Sequence, residues 1–368
     1  MEDWLKMLDA TIDRREKHKV LHRLKDIIVI VFFALLANAD TWAEMEYFAK
    51  EHEEFLREYI ELKNGVPSHD TLQRNFAVLD SVFLEKLQTA WNEMLSTDEG
   101  EKLKKILAID GKTQRGNGSS TQKANHIVSA ADENGVCFGQ KRVKEKSNEI
   151  TAIPKLLDDL NVRGTVVTID AMGTQTEIAA KIRGKKADYV LGLKGNQETL
   201  HADVKLYFSD TEFVKKCDYF YTVEKARGGV EKREYWQTDD IAWLSQKGAW
   251  KGLKTIGMTK NTIYKGEKVT EETRYYISSL SVNAKELGRC IRGHWMVESL
   301  HWHLDVTFRE DANQTFEKRA AYNLNILRKI ALSALRMADL GKKKVGAKTK
   351  RYIISCNPVK YIRQILSA

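Results

Sequence analysis

The hydrophobic pattern of the first hundred residues predicts helices. Residues 23–37 read as one apolar helix, and residues 41–59 as a second, amphipathic one. A third helix is expected to begin near Ser68 or Asp70, because Asp70 and Gln73 stand at capping-box spacing. We therefore expect residues 1–100 to form a small helical domain. The pattern is compatible with a DNA-binding module and equally with a packing or dimerisation unit.

From residue 105 the pattern changes to short apolar runs. Residues 105–110 predict a buried strand that ends in a carboxylate, Asp110. Residues 126–131 and 136–143 predict two further strands around Asn134-Gly135, a strong hairpin signal. A helix then runs from Ser147 to about residue 160.

The next elements alternate between strand and helix. Residues 165–170 predict a second buried strand that ends in Asp170, and residues 187–193 predict a third. A helix over residues 174–183 separates them. Three strands, a helix, a strand, a helix and a strand indicate a mixed α/β sheet with helices on its faces, the order of the ribonuclease-H-like fold. In that fold the first strand lies beside the fourth, which would bring Asp110 and Asp170 together at one end of the sheet.

Residues from about 200 to 283 interrupt this scheme with a β-rich insertion. Four strands are predicted within it, over residues 220–223, 230–237, 254–260 and 273–280. Long helices resume over residues 284–308 and 315–340. We therefore divide the chain into a helical part (1–100), an α/β domain with its insertion (101–340) and a basic C-terminal tail (341–368).

The charge of the chain is concentrated in that tail. The chain has a net charge of +9. Residues 341–368 contain no acidic residue and eight basic ones, which are Lys342, Lys343, Lys344, Lys348, Lys350, Arg351, Lys360 and Arg363. Such a tail favours a polyanionic partner, although a solubilising terminus explains the charge as well.

Cysteine spacing and hydropathy exclude several classes. The four cysteines include no C-x-x-C pair, which argues against a zinc ribbon or a disulfide framework and suits a reducing compartment. The first residues do not resemble a signal peptide. The apolar run 27–37 is too short for a bilayer, which needs about 20 residues. We therefore expect a cytoplasmic protein with no membrane partner.

The segment 292–305 carries an unusual stripe of ionisable side chains. Read as a helix, it places His294, Glu298, His301 and Asp305 on one face. A metal site, a catalytic acid or base and a polynucleotide contact each fit such a face. Zinc fits less well, because H-x-x-x-E-x-x-H lacks the H-E-x-x-H spacing of zinc proteases.

Two strand-end aspartates and a helix-borne glutamate suggest a hard-oxygen metal site. Asp110, Asp170 and Glu298 offer the carboxylate oxygens that Mg²⁺ or Mn²⁺ prefers. Two such ions can activate a water or a sugar 3′-hydroxyl and stabilise the leaving 3′-oxygen during in-line attack on a phosphodiester. Each aspartate alone would be explained more simply as a cap or a turn residue. The pair, in this element order and with the glutamate, favours function.

Several local sequences, in one consistent order, resemble a known family. The chain is similar to the H-repeat-associated family of DDE insertion-sequence transposases over about residues 20–340. The motifs that carry the resemblance are residues 67–71 (PSHDT), 110–115 (DGKTQR), 128–130 (VSA), 146–154 (KSNEITAIP), 168–173 (TIDAMG), 189–197 (YVLGLKGNQ) and 294–306 (HWMVESLHWHLDV).

The resemblance implies a function and a set of site residues. It implies that Asp110, Asp170 and Glu298 are the metal-binding triad of a bacterial transposase, with the β-rich stretch inserted before the glutamate helix. It also implies DNA as the partner (element ends and target), a homodimer or higher oligomer on DNA, and association with the nucleoid. The expected activity is that of a DNA strand transferase and endonuclease with Mg²⁺, or Mn²⁺ as a substitute, as cofactor.

The chain departs from related transposases at several positions. Those proteins carry Tyr, Arg and Lys where this chain has Ile291, His294 and Asp305, so a basic group is kept only at His294. A family stretch that usually contains His-Gly-Arg reads Arg227-Gly228-Gly229 here. The triad itself is intact.

Further side chains are candidates for contact with DNA. They are Lys112, Arg115, Lys194, Asn196, Gln197, Arg227, His294 and His301. Lys112 and Arg115 could equally belong to a solvated loop, and binding through them would depend on salt. The indoles of Trp295 and Trp302 most simply pack the helix on the sheet, with base stacking as the minority interpretation. Glu149 and Asp305 are possible accessory carboxylates, although caps or ion pairs explain them more simply.

Three functions stay open at this point. The first is a transposase that cleaves element ends and transfers the 3′-OH to target DNA. The second is an inactive or repurposed relic that binds DNA without cutting it. The third is a stand-alone nuclease of the same fold, which would cleave without strand transfer.

Overall fold

The structure of the protein, a computed structural model, describes residues 2–367 apart from 12, 14, 17, 19, 96–103, 145–146, 227 and 342–344. Its first part is helical, as predicted. The helices are α1 (Glu2–Met7), α2 (Leu24–Leu36), α3 (Trp42–Glu51), α4 (Glu53–Leu56), α5 (His69–Val78) and α6 (Ser81–Leu95). The helix predicted over 41–59 is divided at His52. Ser68 caps α5 by accepting a hydrogen bond from the Thr71 N–H.

The middle of the chain forms the mixed sheet that the element order predicted. Its elements are β1 (Ile106–Gln114), β2 (Asn125–Asp132), β3 (Cys137–Arg142), α7 (Glu149–Asp159), β4 (Val166–Ile169), α8 (Thr176–Gly184) and β5 (Asp188–Leu193). Strand β1 pairs antiparallel with β2 and parallel with β4. The prediction that the first strand lies beside the fourth is confirmed, and the fold is ribonuclease-H-like.

The insertion extends this sheet. It contains α9 (Glu198–Tyr207), α10 (Thr211–Lys216), β6 (Asp218–Ala226), β7 (Gly229–Thr238), β8 (Thr255–Lys265) and β9 (Lys268–Ser278). Strand β9 pairs antiparallel with β5. Within the described residues the result is one nine-stranded sheet in the order β3-β2-β1-β4-β5-β9-β8-β7-β6. The sequence predicted the four strands but not the two helices that precede them.

The C-terminal part is helical. It contains α11 (Ala284–Trp302), a π-helical turn (His303–Thr307), α12 (Lys318–Met337), α13 (Ala347–Cys356) and α14 (Pro358–Ser367). The segment predicted as a basic tail therefore forms two helices, with Ile354 and Ile362 fully buried. Arg351 is buried as well, and its guanidinium pairs with Asp40 at 2.7 Å. The charge of Arg351 therefore stabilises the fold and is not available to a polyanion. The lysines of the segment 342–344 lie outside the described residues.

Hydrophobic cores lie on both sides of the sheet, and a smaller one packs the first half of α11 against the strands. The larger core joins α2, α3 and α5 to α12, α13 and α14, and includes Val297 and Leu300 of α11. The second core packs α7 and α8 against the central strands. The N-terminal helices, predicted as a domain of their own, thus share their core with the C-terminal helices. Helix α2 is apolar on all sides from Ile27 to Leu36, and all ten of these residues are fully buried. Among the described residues, no helix combines the length and hydropathy needed to cross a membrane.

Candidate active site

Asp110 and Asp170 lie side by side where β1 and β4 part. The parallel pairing of these strands ends at Ile109 and Ile169, and an aspartate follows each of them. Strand β1 continues beyond Asp110 in its pairing with β2. Asp110 therefore lies inside β1, whereas the apolar run had suggested that the strand ends there. The expectation that the two carboxylates meet is confirmed.

Glu298 reaches the same place from α11. This helix packs across β1 and β4. The approach is close at Gly293, where a Cβ would lie only 2.9 Å from the Ile106 side chain. Glu298 follows on the same helix and lines one cavity of roughly 310 Å³ together with Asp110 and Asp170. The three predicted carboxylates therefore face a common space.

A fourth carboxylate, that of Glu149, lies beside the two aspartates. Asp110, Glu149 and Asp170 each offer an oxygen, and the three oxygens lie within 4.8 Å of one another. Glu149 is buried in the first turn of α7, and its Oε1 lies 2.6 Å from His126 Nε2. The sequence suggested a cap or an ion pair for Glu149. It does pair with His126, but it does so among the carboxylates.

Burial raises the proton affinity of three of these carboxylates, and neighbouring carboxylates add to the effect at Asp110 and Asp170. Burial raises the pKa of Asp110 to about 7, and the charges of Asp170, Glu149 and Glu298 contribute to the increase. Burial also raises the pKa of Asp170 and of Glu298. Negative charge is therefore costly at this site unless a cation compensates for it.

The two histidines of the α11 stripe are neutral. Burial lowers the pKa of His294 to about 4 and that of His301 to about 3. His294 Nδ1 contacts Thr168 Oγ1 at 3.1 Å, and His301 Nδ1 lies 3.5 Å from Asp110 Oδ2. Both were predicted as DNA contacts. As neutral rings they can orient neighbouring groups but do not supply the positive charge expected at His294.

The ammonium group of Lys112 forms ion pairs within the protein. Its side chain is 9% exposed, and its Nζ lies 2.7 Å from Asp305, 3.2 Å from Glu310 and 3.5 Å from Asp311. These three carboxylates follow α11 in the chain. These ion pairs favour a structural role for Lys112 over the predicted contact with DNA, because its ammonium group joins β1 to the segment after α11. Asp305, one of the candidates of the α11 stripe, is among its partners.

Replacing Lys112 with Met tests this structural role. The change keeps the length of the side chain but leaves buried Glu310 with one cation fewer, at an expected cost of about 1–3 kcal/mol in unfolding free energy. Urea unfolding measures this cost, with the exposed Lys251→Met as the matched control. A Lys112→Met protein of unchanged stability and weakened DNA binding would instead assign Lys112 to DNA.

The other predicted DNA contacts differ in their surroundings. Lys194 is exposed and lines the cavity. Burial raises the pKa of Asp170, and the positive charge of Lys194 opposes this increase only in part. Asn196 donates to the Ala171 carbonyl, and Gln197 donates to the Thr174 carbonyl at 3.0 Å. These amides hold the loop after Asp170, which favours a structural turn.

Two arginines complete the predicted set of DNA contacts. Arg115 is exposed, and its backbone N–H donates to Asp311 Oδ1 at 3.1 Å. Arg227 lies outside the described residues.

The two tryptophans of α11 are only partly buried. Trp295 is 47% exposed and Trp302 is 53% exposed. The Arg274 guanidinium stacks over the Trp295 ring at 5.0 Å, at the edge of the carboxylate cavity. Trp295 therefore contacts the sheet through Arg274, as the packing interpretation expects, but about half of each indole stays accessible to solvent.

The side chains around the cavity fit a divalent cation. The donors are carboxylate oxygens, which Mg²⁺ and Mn²⁺ prefer. Among the described residues, no Lys or Arg forms an ion pair with Asp110, Glu149, Asp170 or Glu298, and His301 Nε2 is buried without a hydrogen-bond partner. Asp110, Glu149, Asp170 and Glu298 are the groups that could hold such an ion.

Comparison with known proteins gives the same assignment as the motifs. Residues 101–334 match the model of the family described as "Transposase DDE domain", and residues 5–92 match the one described as "DDE_Tnp_1-associated". The chain is 39% identical to "Putative transposase YncI" of Escherichia coli O157:H7, covering 100% of this chain and 95% of that protein.

Two relatives from Escherichia coli K12 are similar over nearly the same length. The chain is 33% identical to "H repeat-associated putative transposase YhhI" and 33% identical to "Putative protein YbfL". In both comparisons the match covers 96% of this chain and 95% of the relative. The chain therefore belongs to the DDE transposase family, and its full-length relatives include an H-repeat-associated member, as its motifs predicted.

Proposed function

We propose that this protein is an insertion-sequence transposase that cleaves DNA at its element's ends and transfers the freed 3′-OH to target DNA. The observation that supports this most strongly is the convergence of Asp110, Asp170 and Glu298 on one cavity in a chain with a transposase DDE domain. The proposed catalytic residues are these three carboxylates.

The chemistry is a pair of in-line displacements at phosphorus. Two divalent cations, when bound, supply the positive charge that stabilises the attacking and leaving oxygens. In the first step a water oxygen bonds to phosphorus as the bond to the 3′-oxygen breaks. In the second step that 3′-oxygen attacks a target phosphodiester, and one P–O bond replaces another. The cations would be held by the carboxylates of Asp110, Asp170 and Glu298, and no covalent bond between DNA and the protein is needed.

Neighbouring side chains would orient the site and the DNA. His301 Nδ1 lies beside Asp110, so a neutral ring can fix the direction of that carboxylate. Lys194 is exposed at the cavity and, of the predicted cations that the structure describes, is the best placed to meet a phosphate. We also propose a dimer or higher oligomer on DNA, because joining both ends of one element to a target requires two active sites to act together.

A cleavage assay tests this proposal. A duplex that carries the DNA flanking the gene is incubated with the full chain in Mg²⁺, in Mn²⁺ and in EDTA. The expected result is cutting at the element end that leaves a 3′-OH, followed by joining to a second plasmid, in either metal and not in EDTA. Sequencing the products identifies both junctions.

The same assay separates the two other candidates. Cutting without joining and without preference for the flanking sequence would indicate a stand-alone nuclease. Binding to the flanking DNA with no cutting in either metal would indicate a relic. Either result overturns the proposal.

A further inference from the structure

Glu149 lies deeper in the protein than the three carboxylates that the sequence singled out. It is 9% exposed, in the first turn of the helix that follows the β2–β3 hairpin. One of its oxygens lies within 4.8 Å of oxygens of both Asp110 and Asp170. A carboxylate that only capped α7 would gain nothing from lying beside two others, because like charges repel.

His126 fixes the orientation of Glu149. Its Nε2 lies 2.6 Å from Glu149 Oε1, and its Nδ1 lies 2.8 Å from Thr113 Oγ1. The ring is therefore held at both nitrogens by groups on β1 and α7. This contact uses one oxygen of Glu149, and a carboxylate has a second oxygen with which to bind a cation.

Gly111 provides the space in which Glu149 and His126 meet. A Cβ at this position would lie 2.6 Å from His126 Nε2 and would overlap Glu149 Oε1. Any side chain directly after Asp110 would force Glu149 or His126 to move from these positions. The backbone of Gly111 does not need a left-handed conformation, so the close approach is what requires glycine here.

The charges of this group are not balanced by the protein. Within the described residues, no Lys or Arg forms an ion pair with Asp110, Glu149 or Asp170, and the imidazoles of His301 and His126 are the ring contacts of Asp110 and Glu149. His301 presents its Nδ1 to Asp110, and its other ring nitrogen, Nε2, is buried without a hydrogen-bond partner. Three converging carboxylates, a space kept open by glycine and the missing counter-charge all point to a bound cation.

We propose that Glu149 is a fourth metal ligand of the catalytic centre, which joins Asp110 and Asp170 in holding a divalent cation while His126 positions it. This inference rests on the proposed function, since it adds a ligand to the same site. Glu149 would thus set the affinity for the metal, and Gly111 would be required for Glu149 to reach it.

The affinity for Mn²⁺ of the full-length protein without DNA tests the proposal. Glu149→Gln keeps the shape of the side chain and its hydrogen bond to His126 but removes the charge. We expect Mn²⁺ to bind at least about 10-fold more weakly, measured by calorimetry or by the electron paramagnetic resonance of free Mn²⁺. Gly111→Ala should weaken binding similarly, and the exposed Glu54→Gln should leave it unchanged.

Asp170→Asn separates the two levels of the proposal. If Asp170→Asn loses Mn²⁺ affinity and Glu149→Gln keeps it, Glu149 is not a ligand and the proposed function stands. If the wild-type protein binds no Mn²⁺, the metal site itself is wrong. Circular dichroism establishes that each variant is folded. Should Glu149→Gln not fold, Glu149→Asp replaces it, since its carboxylate is one methylene shorter and is expected to weaken Mn²⁺ binding as well.

Discussion

Replacing Asp170 with Asn is expected to reduce Mg²⁺-dependent cleavage of element ends by a factor of about 10³ or more. The amide removes a negative oxygen from the group that would hold the cations. Because metal stabilisation of the transition state contributes several kcal/mol, its loss corresponds to about three orders of magnitude in rate. Asp110→Asn is expected to have an effect of the same size, since both aspartates contribute to the same group.

Binding and stability distinguish this loss of catalysis from misfolding. Asp170→Asn should bind the flanking DNA as well as the wild type does, because it removes a negative charge near the phosphates. Its unfolding free energy should be unchanged or higher, since one of several buried like charges is gone. Asp239→Asn, at an exposed position outside the cavity, is the matched control. A variant that cleaves at more than a tenth of the wild-type rate would remove Asp170 from the catalytic set.

Glu310→Gln is expected to destabilise the fold by about 3–5 kcal/mol, because it leaves buried cations without their counter-charge. Glu310 is 2% exposed, and its carboxylate meets Lys112 at 3.2 Å and Arg328 at 3.4 Å. Asn325 Nδ2 donates to it at 2.7 Å. This group of charges links β1, α12 and the segment after α11. Removing the Glu310 charge should therefore destabilise the packing of the larger core.

The comparison for this variant is an exposed ion pair. Glu212 and Lys215 lie 2.7 Å apart with both side chains mostly in solvent, and Glu212→Gln should cost less than about 1 kcal/mol. Urea unfolding of both variants gives the two values. Equal stabilities of Glu310→Gln and Glu212→Gln would contradict a structural role for the buried group.

The contribution of Glu310 should also depend on pH. Burial opposes its ionisation, but Arg328 and Lys112 outweigh burial and lower the pKa to about 2. A carboxyl with a lowered pKa in the folded state stabilises the fold above its unfolded pKa, and this stabilisation disappears as the pH falls towards the folded value. The difference in unfolding free energy between wild type and Glu310→Gln should therefore shrink between about pH 4.5 and pH 2. A difference that stays constant over this range would contradict the assignment.

The sequence predicted the parts of the site that depend on element order. Asp110 and Asp170 each follow an apolar run, and the rule that the first strand pairs with the fourth was enough to bring them together. Glu298 could be added because α11 carries a long and specific motif. These predictions needed only the sequence of elements and the local residues.

Contacts between distant segments could not be predicted in this way. The partners of Lys112 lie about two hundred residues later in the chain, so its burial had no local signal. Likewise, only the register of β1 and β2 and the start of α7 bring Gly111, His126 and Glu149 together. In the C-terminal segment, isoleucines recur at helical spacing, which is a signal for helices. The density of basic residues led instead to the prediction of a tail.

The proposed position of the metal can be tested directly on the wild-type protein. Fe²⁺ that replaces Mg²⁺ generates hydroxyl radicals with ascorbate and peroxide, and these cut the polypeptide next to the bound ion. We predict cuts close to Asp110, Asp170 and Glu298, which disappear on addition of excess Mg²⁺ and in the Asp170→Asn variant. Cuts confined to other segments, or cuts near these residues that Mg²⁺ does not suppress, would contradict a divalent-metal centre formed by these carboxylates.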